Sequence, residues 1–404
     1  MKKIFILFLF PLCVFAQQLG NSVSYINVSD TSSAVLHFNA DANYASSSLN
    51  NAFLNKFIYG GYIDITQKNE ALDKTKELNN LGGEFVSSIF FSDSKNYLFK
   101  NWGYYAGITY NYQAGAEFNK DAFQLAFYGN NGFKDKNSFN TQSSFFVRDF
   151  YQFSVGLNQN NKYKVGLTFS SFNNLYGGNM DLKIQNAENG DSIAMQINAD
   201  YYAVDTNKTI GFMANNAMGI GLDFETIVTL NDSSTSPKIV LGVKNVGILL
   251  HKNAYQILAN NTYTYKGVEV NSLNNINTLT ENDIKDSLGV VTVIENRTEL
   301  FPFEVYFFQL PTYKKTIEII YGFRYKNQSA YNAYIYAGGN YTFNSQYSIS
   351  TYLGHGGYTK FQWGASFKAH WHKMQVGINT NSLLGFITDK SLGKSLGFSL
   401  TYKL

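Results

Sequence analysis

The last nine residues of the chain constrain it most. Leu396, Phe398, Leu400, Tyr402 and Leu404 alternate with Gly397, Ser399, Thr401 and Lys403. In an extended strand successive side chains point to opposite faces, so one face here is wholly apolar and the other small or polar. An apolar face of this kind has to be covered, either by a second protein layer or by lipid.

The same period returns along the chain: at Tyr104, Ala106, Ile108, Tyr110 and Tyr112, at Phe145 to Leu157, at Tyr163 to Phe169, and at Ile220 to Leu230. It is written again at Ile317 to Tyr325 and at Phe361 to Trp371, where Phe361 and Trp371 are spaced for opposite interfacial girdles. About ten residues is what a tilted strand needs to cross a bilayer. Charged residues make up 15% of the chain against roughly 25% in soluble domains, while Tyr and Phe number 30 and 34. A soluble β-sandwich also alternates, but it would need a second layer over all these faces. Barrel closure removes every edge and lets lipid cover them. The expectation is an all-β protein, an antiparallel transmembrane β-barrel with long extracellular loops.

Lys2 and Lys3 precede an uncharged apolar run from Ile4 to Phe15, too short to span a membrane, which ends in Val14-Phe15-Ala16. This reads as a cleaved signal peptide over residues 1–16. Cys13 follows Phe10-Pro11-Leu12 and lacks the small preceding residue that lipid attachment needs. Losing the two lysines takes the net charge from +3 to +1 and removes the one cysteine. Thiol chemistry is then excluded, and no nucleic-acid partner is expected of a near-neutral chain. No second long apolar stretch supports a helical membrane protein. Residues 17–33 read as an N-terminal segment and 34–404 as the barrel.

Polar interruptions at Thr66–Leu81, Asn130–Thr141 and Asn231–Pro237 separate the strands, and Asn158 to Lys162 marks a hairpin by composition. The longest, His251 to Leu310, reads as irregular and includes the Asn-rich Asn271 to Asp286; a connection of that length is usually functional or disordered. Two of the four prolines, Pro302 and Pro311, flank a region that reads as a connection.

Leu241-Gly242-Val243-Lys244-Asn245-Val246-Gly247, after Gly219-Ile220-Gly221-Leu222-Asp223, resembles barrels of the long-chain fatty-acid transporter type, including the PorV-type barrel of the type IX secretion system. Asn55 to Gly61 and Leu310-Pro311-Thr312 are similar to segments of an uncharacterised Bacteroidetes outer-membrane family. The C-terminal strand likewise resembles an outer-membrane insertion signal, with Leu404 where Phe or Trp is commoner. The resemblance implies about fourteen strands and the outer membrane, and transfers no ligand. Asn245 and Gly247 suit a bulge or tight corner, because Gly permits positive φ and Asn tolerates it.

No catalytic signature involves His37, His251, His355, His370 or His372, so an enzyme is not expected. His370 and His372, two apart on a strand, point the same way but have no acidic neighbour to complete a metal site. Gly393-Lys394-Ser395 lacks the upstream glycine of a phosphate loop, Thr388 standing in its place. No metal or cofactor is implied. Arg148, Asp223, Glu225, Glu318, Arg324 and Lys368 stand opposite the apolar stripes and so should face the lumen, where they either pair with one another or line a path. Two function classes follow: passage of a hydrophobic or amphipathic solute, or a non-enzymatic subunit that docks on a larger outer-membrane secretion or barrel-assembly complex. Outer-membrane lipid is the expected partner in both.

Overall fold

The computed structural model describes residues 34–93, 101–129, 138–159, 162–186, 193–204, 214–229, 237–265, 286, 289–311, 315–344 and 346–404. The leader, residues 17–33, Leu230 and most of Asn271 to Asp286 lie outside them.

Sixteen strands form one antiparallel sheet. They are β1 (Val35–Ser46), β2 (Asn79–Asp93), β3 (Gly103–Phe118), β4 (Ser138–Gln159), β5 (Tyr163–Asn186), β6 (Ile193–Ala203), β7 (Ala217–Thr229) and β8 (Lys238–Tyr265), followed by β9 (Val290–Leu300), β10 (Glu304–Leu310), β11 (Ile317–Lys326), β12 (Asn332–Phe343), β13 (Tyr347–Gly357), β14 (Thr359–Trp371), β15 (Met374–Thr380) and β16 (Gly393–Lys403). The last strand pairs with the first, Val35 opposite Lys403, so the sheet closes. β6 and β7 lie end to end along β5, and β9 and β10 lie end to end along β8. Each of these pairs is one interrupted stave, so the sixteen strands make fourteen staves. With an even number of staves, Val35 and Lys403 fall at the same end.

The stretch from His251 to Leu310 is not irregular. β8 runs on to Tyr265, and β9 and β10 fill most of the remainder. Its strands escape the alternation rule for two reasons. Lys252 and Asn253 interrupt the register opposite Asn296 and shift the period. Many β9 residues are exposed on both faces, so that strand carries no apolar stripe. The residues between Pro302 and Pro311 are likewise a strand, β10, paired on both sides with β8 and β11. Pro302 sits in the break that precedes it, where no ladder donor is required.

Besides a single helical turn at Leu384–Ile387, three short helices, not foreseen from the polar interruptions, stand at the end away from Val35 and Lys403: α1 (Asn51–Tyr59), α2 (Ile65–Lys74) and α3 (Lys120–Tyr128). Asn50, Asp64 and Asn119 cap them by accepting backbone N–H bonds, and Gln67 completes a capping box with Asp64. Phe53, Leu54 and Phe123 are buried between them with Tyr44 of the wall. Two or three helical turns are too short for an apolar period to emerge from polar surroundings.

Outside, Ile108, Leu167, Leu222, Ile319, Leu353 and Phe398 are each more than a third exposed. Phe361 and Trp371 project outward from opposite ends of β14. Inside, polar residues dominate the buried set, interrupted by tyrosines laid over glycines. A side chain at Gly242, Gly322, Gly354 or Gly364 would occupy the ring of Tyr306, Tyr336, Tyr334 or Tyr352, respectively. At these positions the two residue types go together: a bare inner backbone is what lets a large ring lie flat on the neighbouring strand.

Candidate functional site

Asn245 sits in the left-handed region at φ 61°. It and Lys244 together oppose Asp223, giving β8 an extra residue at that point. Asp223 anchors the bulge, its carboxylate accepting from the Asn245 N–H at 2.7 Å and from Thr168 Oγ1 at 2.6 Å. Gly247 packs against the backbone at Ile220, where a Cβ would have no room. The bulge turns Lys244 and the Asn245 amide toward the interior.

There Glu225 accepts from Lys164 Nζ at 2.9 Å and Tyr306 Oη at 2.6 Å. Arg324 grips Glu304 through two nitrogens, at 2.9 and 2.8 Å. This is the bidentate geometry that makes guanidinium–carboxylate pairs strong. Lys244 lies 5.3 Å from the centre of the Tyr306 ring.

Lys326 Nζ lies 2.6 and 2.5 Å from the two oxygens of Glu84. Glu84 is on β2 and Lys326 on β11, seven staves apart in a ring of fourteen and therefore on opposite walls. An extended lysine and glutamate together reach across about 14 Å of backbone separation. A circular barrel of fourteen staves would measure roughly 25–28 Å across from inter-strand spacing and tilt. The barrel is accordingly flattened here, and its lumen is bridged by an ion pair with both groups buried. Tyr358 and Gln328 join the bridge, Tyr358 Oη donating to Glu84 at 3.0 Å and Gln328 Nε2 donating to Tyr358 Oη at 2.6 Å.

Beside the bridge lies a cavity of about 260 Å³. Its lining includes Asp223, Glu225 and Arg324 from the residues singled out in the sequence, together with Asn245. Arg148, Glu318 and Lys368 are also buried on the inner face but do not line it. Arg148 stacks over Phe146 at 4.5 Å and pairs across the sheet with Gln113, which does line it. The sequence reading passed over Lys164, Lys244, Glu304, Lys326 and Glu84. Parity alone places Lys164 between the outward Tyr163 and Val165, and Lys326 two residues past Arg324. Glu304 was hidden in the segment read as irregular, and Glu84 lies on a strand whose alternation was not followed. His370 and His372 do not point the same way: β14 ends at Trp371 and His372 occupies a turn at φ 38°. Among the described residues no group of three or more His, Cys, Asp or Glu is placed to hold a metal ion.

A closed antiparallel ring with every stave paired, an apolar exterior and a polar interior is a transmembrane β-barrel of the outer-membrane kind. No family model matches the chain, and no curated protein does. Among solved structures it is similar in shape to a FadL homologue from Pseudomonas aeruginosa, at 8% identity and TM-score 0.43, covering 96% of this chain and 99% of that one. The P. putida toluene transporter TodX gives 8% identity and TM-score 0.41, with 96% and 94% covered. The translocator domain of the autotransporter NalP from Neisseria meningitidis gives 7% and 0.31, with 92% and 89% covered.

Proposed function

We propose that the barrel passes a small amphipathic solute across the outer membrane, with the lumen cavity as its binding site on the way. The observation that carries this reading is the cavity itself: a partly open space in the barrel interior lined by both aromatic and hydrogen-bonding side chains, the usual character of a small-molecule site. Passage requires the Lys326–Glu84 bridge to part or the solute to skirt it. In liposomes, the purified barrel should admit small solutes, and Lys326→Met together with Glu84→Gln should raise the rate. A barrel that admits no solute in either form would reject passage.

The bridge also supports a second reading, a closed barrel that serves as a docking subunit of a larger outer-membrane complex. Extraction in mild detergent separates the two. A non-conducting barrel recovered in fixed stoichiometry with a larger membrane protein favours docking, and a lone barrel with solute-dependent swelling favours passage.

A further inference from the structure

The membrane covers only part of the apolar face that the barrel presents outward. Staves β11 to β16 run 7 to 13 residues, close to the roughly ten that crossing takes. Their exposed Ile319, Leu353 and Phe398 fix the level of the lipid. β4, β5 and β8 run 22, 24 and 28 residues. Val35 stands in line across the ladder with Ser92, Tyr105, Gly156 and Gly166, near one end of β4 and β5, so the surplus length lies at the other end. Together with β6, these strands form a sheet that rises past the shorter staves by about a dozen residues, roughly 30 Å at a tilt of about 40°.

The rising sheet keeps a strict division of faces. Phe145 points away from the interior, since the next residue, Phe146, lies over Gly115 inside. Cross-strand pairs share a face, and Phe145–Gly178, Met180–Ala199, Leu182–Ile197 and Tyr201–Ile257 carry the outward face from β4 to β8. Over 139–147, 178–184, 195–203 and 255–263 no residue on that face is charged. Phe145 and Met180 are exposed on it, and the rings of Phe145 and Tyr201 stack with centres 6.1 Å apart. The opposite face carries Asn179, Asp181, Lys183, Gln196, Asn198 and Asn260. A sheet with water on both sides needs no such division, whereas a sheet covered on one side does.

We propose that the apolar face is covered by the same face of a second copy of this chain, the two barrels standing side by side in one membrane. Four strands of about ten residues give roughly 600 Å² of flat surface, or about 1,200 Å² from two copies, above the roughly 1,000 Å² that a specific interface needs. Copies in one membrane are related by a two-fold axis along its normal, which brings like residues together near the axis. A charge there would meet its equal, and this face has none. The axis also doubles a strand tilt of roughly 35–45°, so the sheets cross at about 70–90°, the orthogonal class of sheet packing. Below them the lipid-facing rows of β4 and β5 continue the same surface into the membrane.

The test is cross-linking of single cysteines with a short bismaleimide in intact outer membranes, read as a band at twice the monomer mass. Ile197→Cys, at the centre of the face, should give roughly tenfold more of that band than Asn198→Cys, the next residue and on the polar face, or Leu353→Cys on the far wall. Cys13, the one native cysteine, is common to all three. Only the compact, heat-modifiable form is counted, so a variant that fails to assemble does not enter the comparison. Met180→Lys with Tyr201→Lys should abolish the Ile197→Cys band and keep the compact form, since the separated sheets then meet water. Equal bands from Ile197→Cys and Leu353→Cys would overturn the proposal, because chance collision prefers no face. An Ile197→Cys adduct of another mass would assign the face to a different protein and overturn it as well. No dimer band from Ile197→Cys, together with loss of the compact form in the double lysine variant, would assign the face to lipid. The pairing does not depend on what crosses the lumen, so a barrel that admits no solute leaves it standing.

Discussion

The arc from β11 through β16 to β3 and the arc from β4 to β10 are built from the same alternation and come out differently. The first has staves of 7 to 16 residues with short bulges at most. The second has β4, β5 and β8 at 22, 24 and 28 residues, two interrupted staves and register shifts at Asp149, Leu222 and His251. The regular arc supplies wall and a packed tyrosine layer. The irregular arc supplies Lys164, Asp223, Glu225, Lys244 and Asn245 to the cavity. A bulge re-aims side chains that a regular ladder would hold in fixed rows, and so Lys244 and Asn245 are turned into the cavity opposite the regular rows that bring Arg324 and Lys326.

The largest effect should come from the bridge that ties the two shoulders of the regular arc. Glu84→Ala leaves Lys326 buried and unpaired and should cost about 3–5 kcal/mol, read as a lower urea midpoint of the compact band in cold gel migration. Replacing both residues by Leu should recover much of that loss. A single variant as stable as wild type would mean the flattening has another cause.

Next in size is a charge on the outer face. Phe398→Arg, on the regular arc, should cost roughly 2–4 kcal/mol near the bilayer midplane, whereas Thr298→Arg, exposed on β9 of the irregular arc, should change the same midpoint little. Equal defects would place β9 within the lipid.

The tyrosine layer should respond less. Gly354→Ala drives a methyl into the ring of Tyr334, which is 1% exposed and cannot swing aside, for a loss of about 1–3 kcal/mol. Gly219→Ala, on the irregular arc, meets Phe301 at a bearable 3.0 Å and should cost less. The smallest effect belongs to the bulge: Asn245→Ala should lose about 1 kcal/mol, because alanine lacks the short polar side chain that lets Asn occupy the left-handed region, and Asn245→Gly should lose less. The reverse order would deny that the backbone at Asn245 sets the corner.

What could be read from the residues was whatever is local and repeated. The outward rows at Ile317 to Tyr325, Phe361 to Trp371 and Leu396 to Leu404 follow from a two-residue period imposed by lipid on one side, and the same parity carries Asp223, Glu225 and Arg324 to the inside. Where that pressure stops, as on β9 with both faces exposed, or slips by a residue, as at Lys252 and Asn253, the pattern stops with it. The site lay further out of reach. Lys326 and Glu84 stand 242 residues apart in the chain, and nothing near either one in sequence states that the ring closes at fourteen staves and flattens until they touch. The sequence by itself determined which side of the wall the residues of the regularly alternating strands face; only the closed tertiary structure decided which inward groups meet, because that depends on stave number, register and bulges summed around the whole ring.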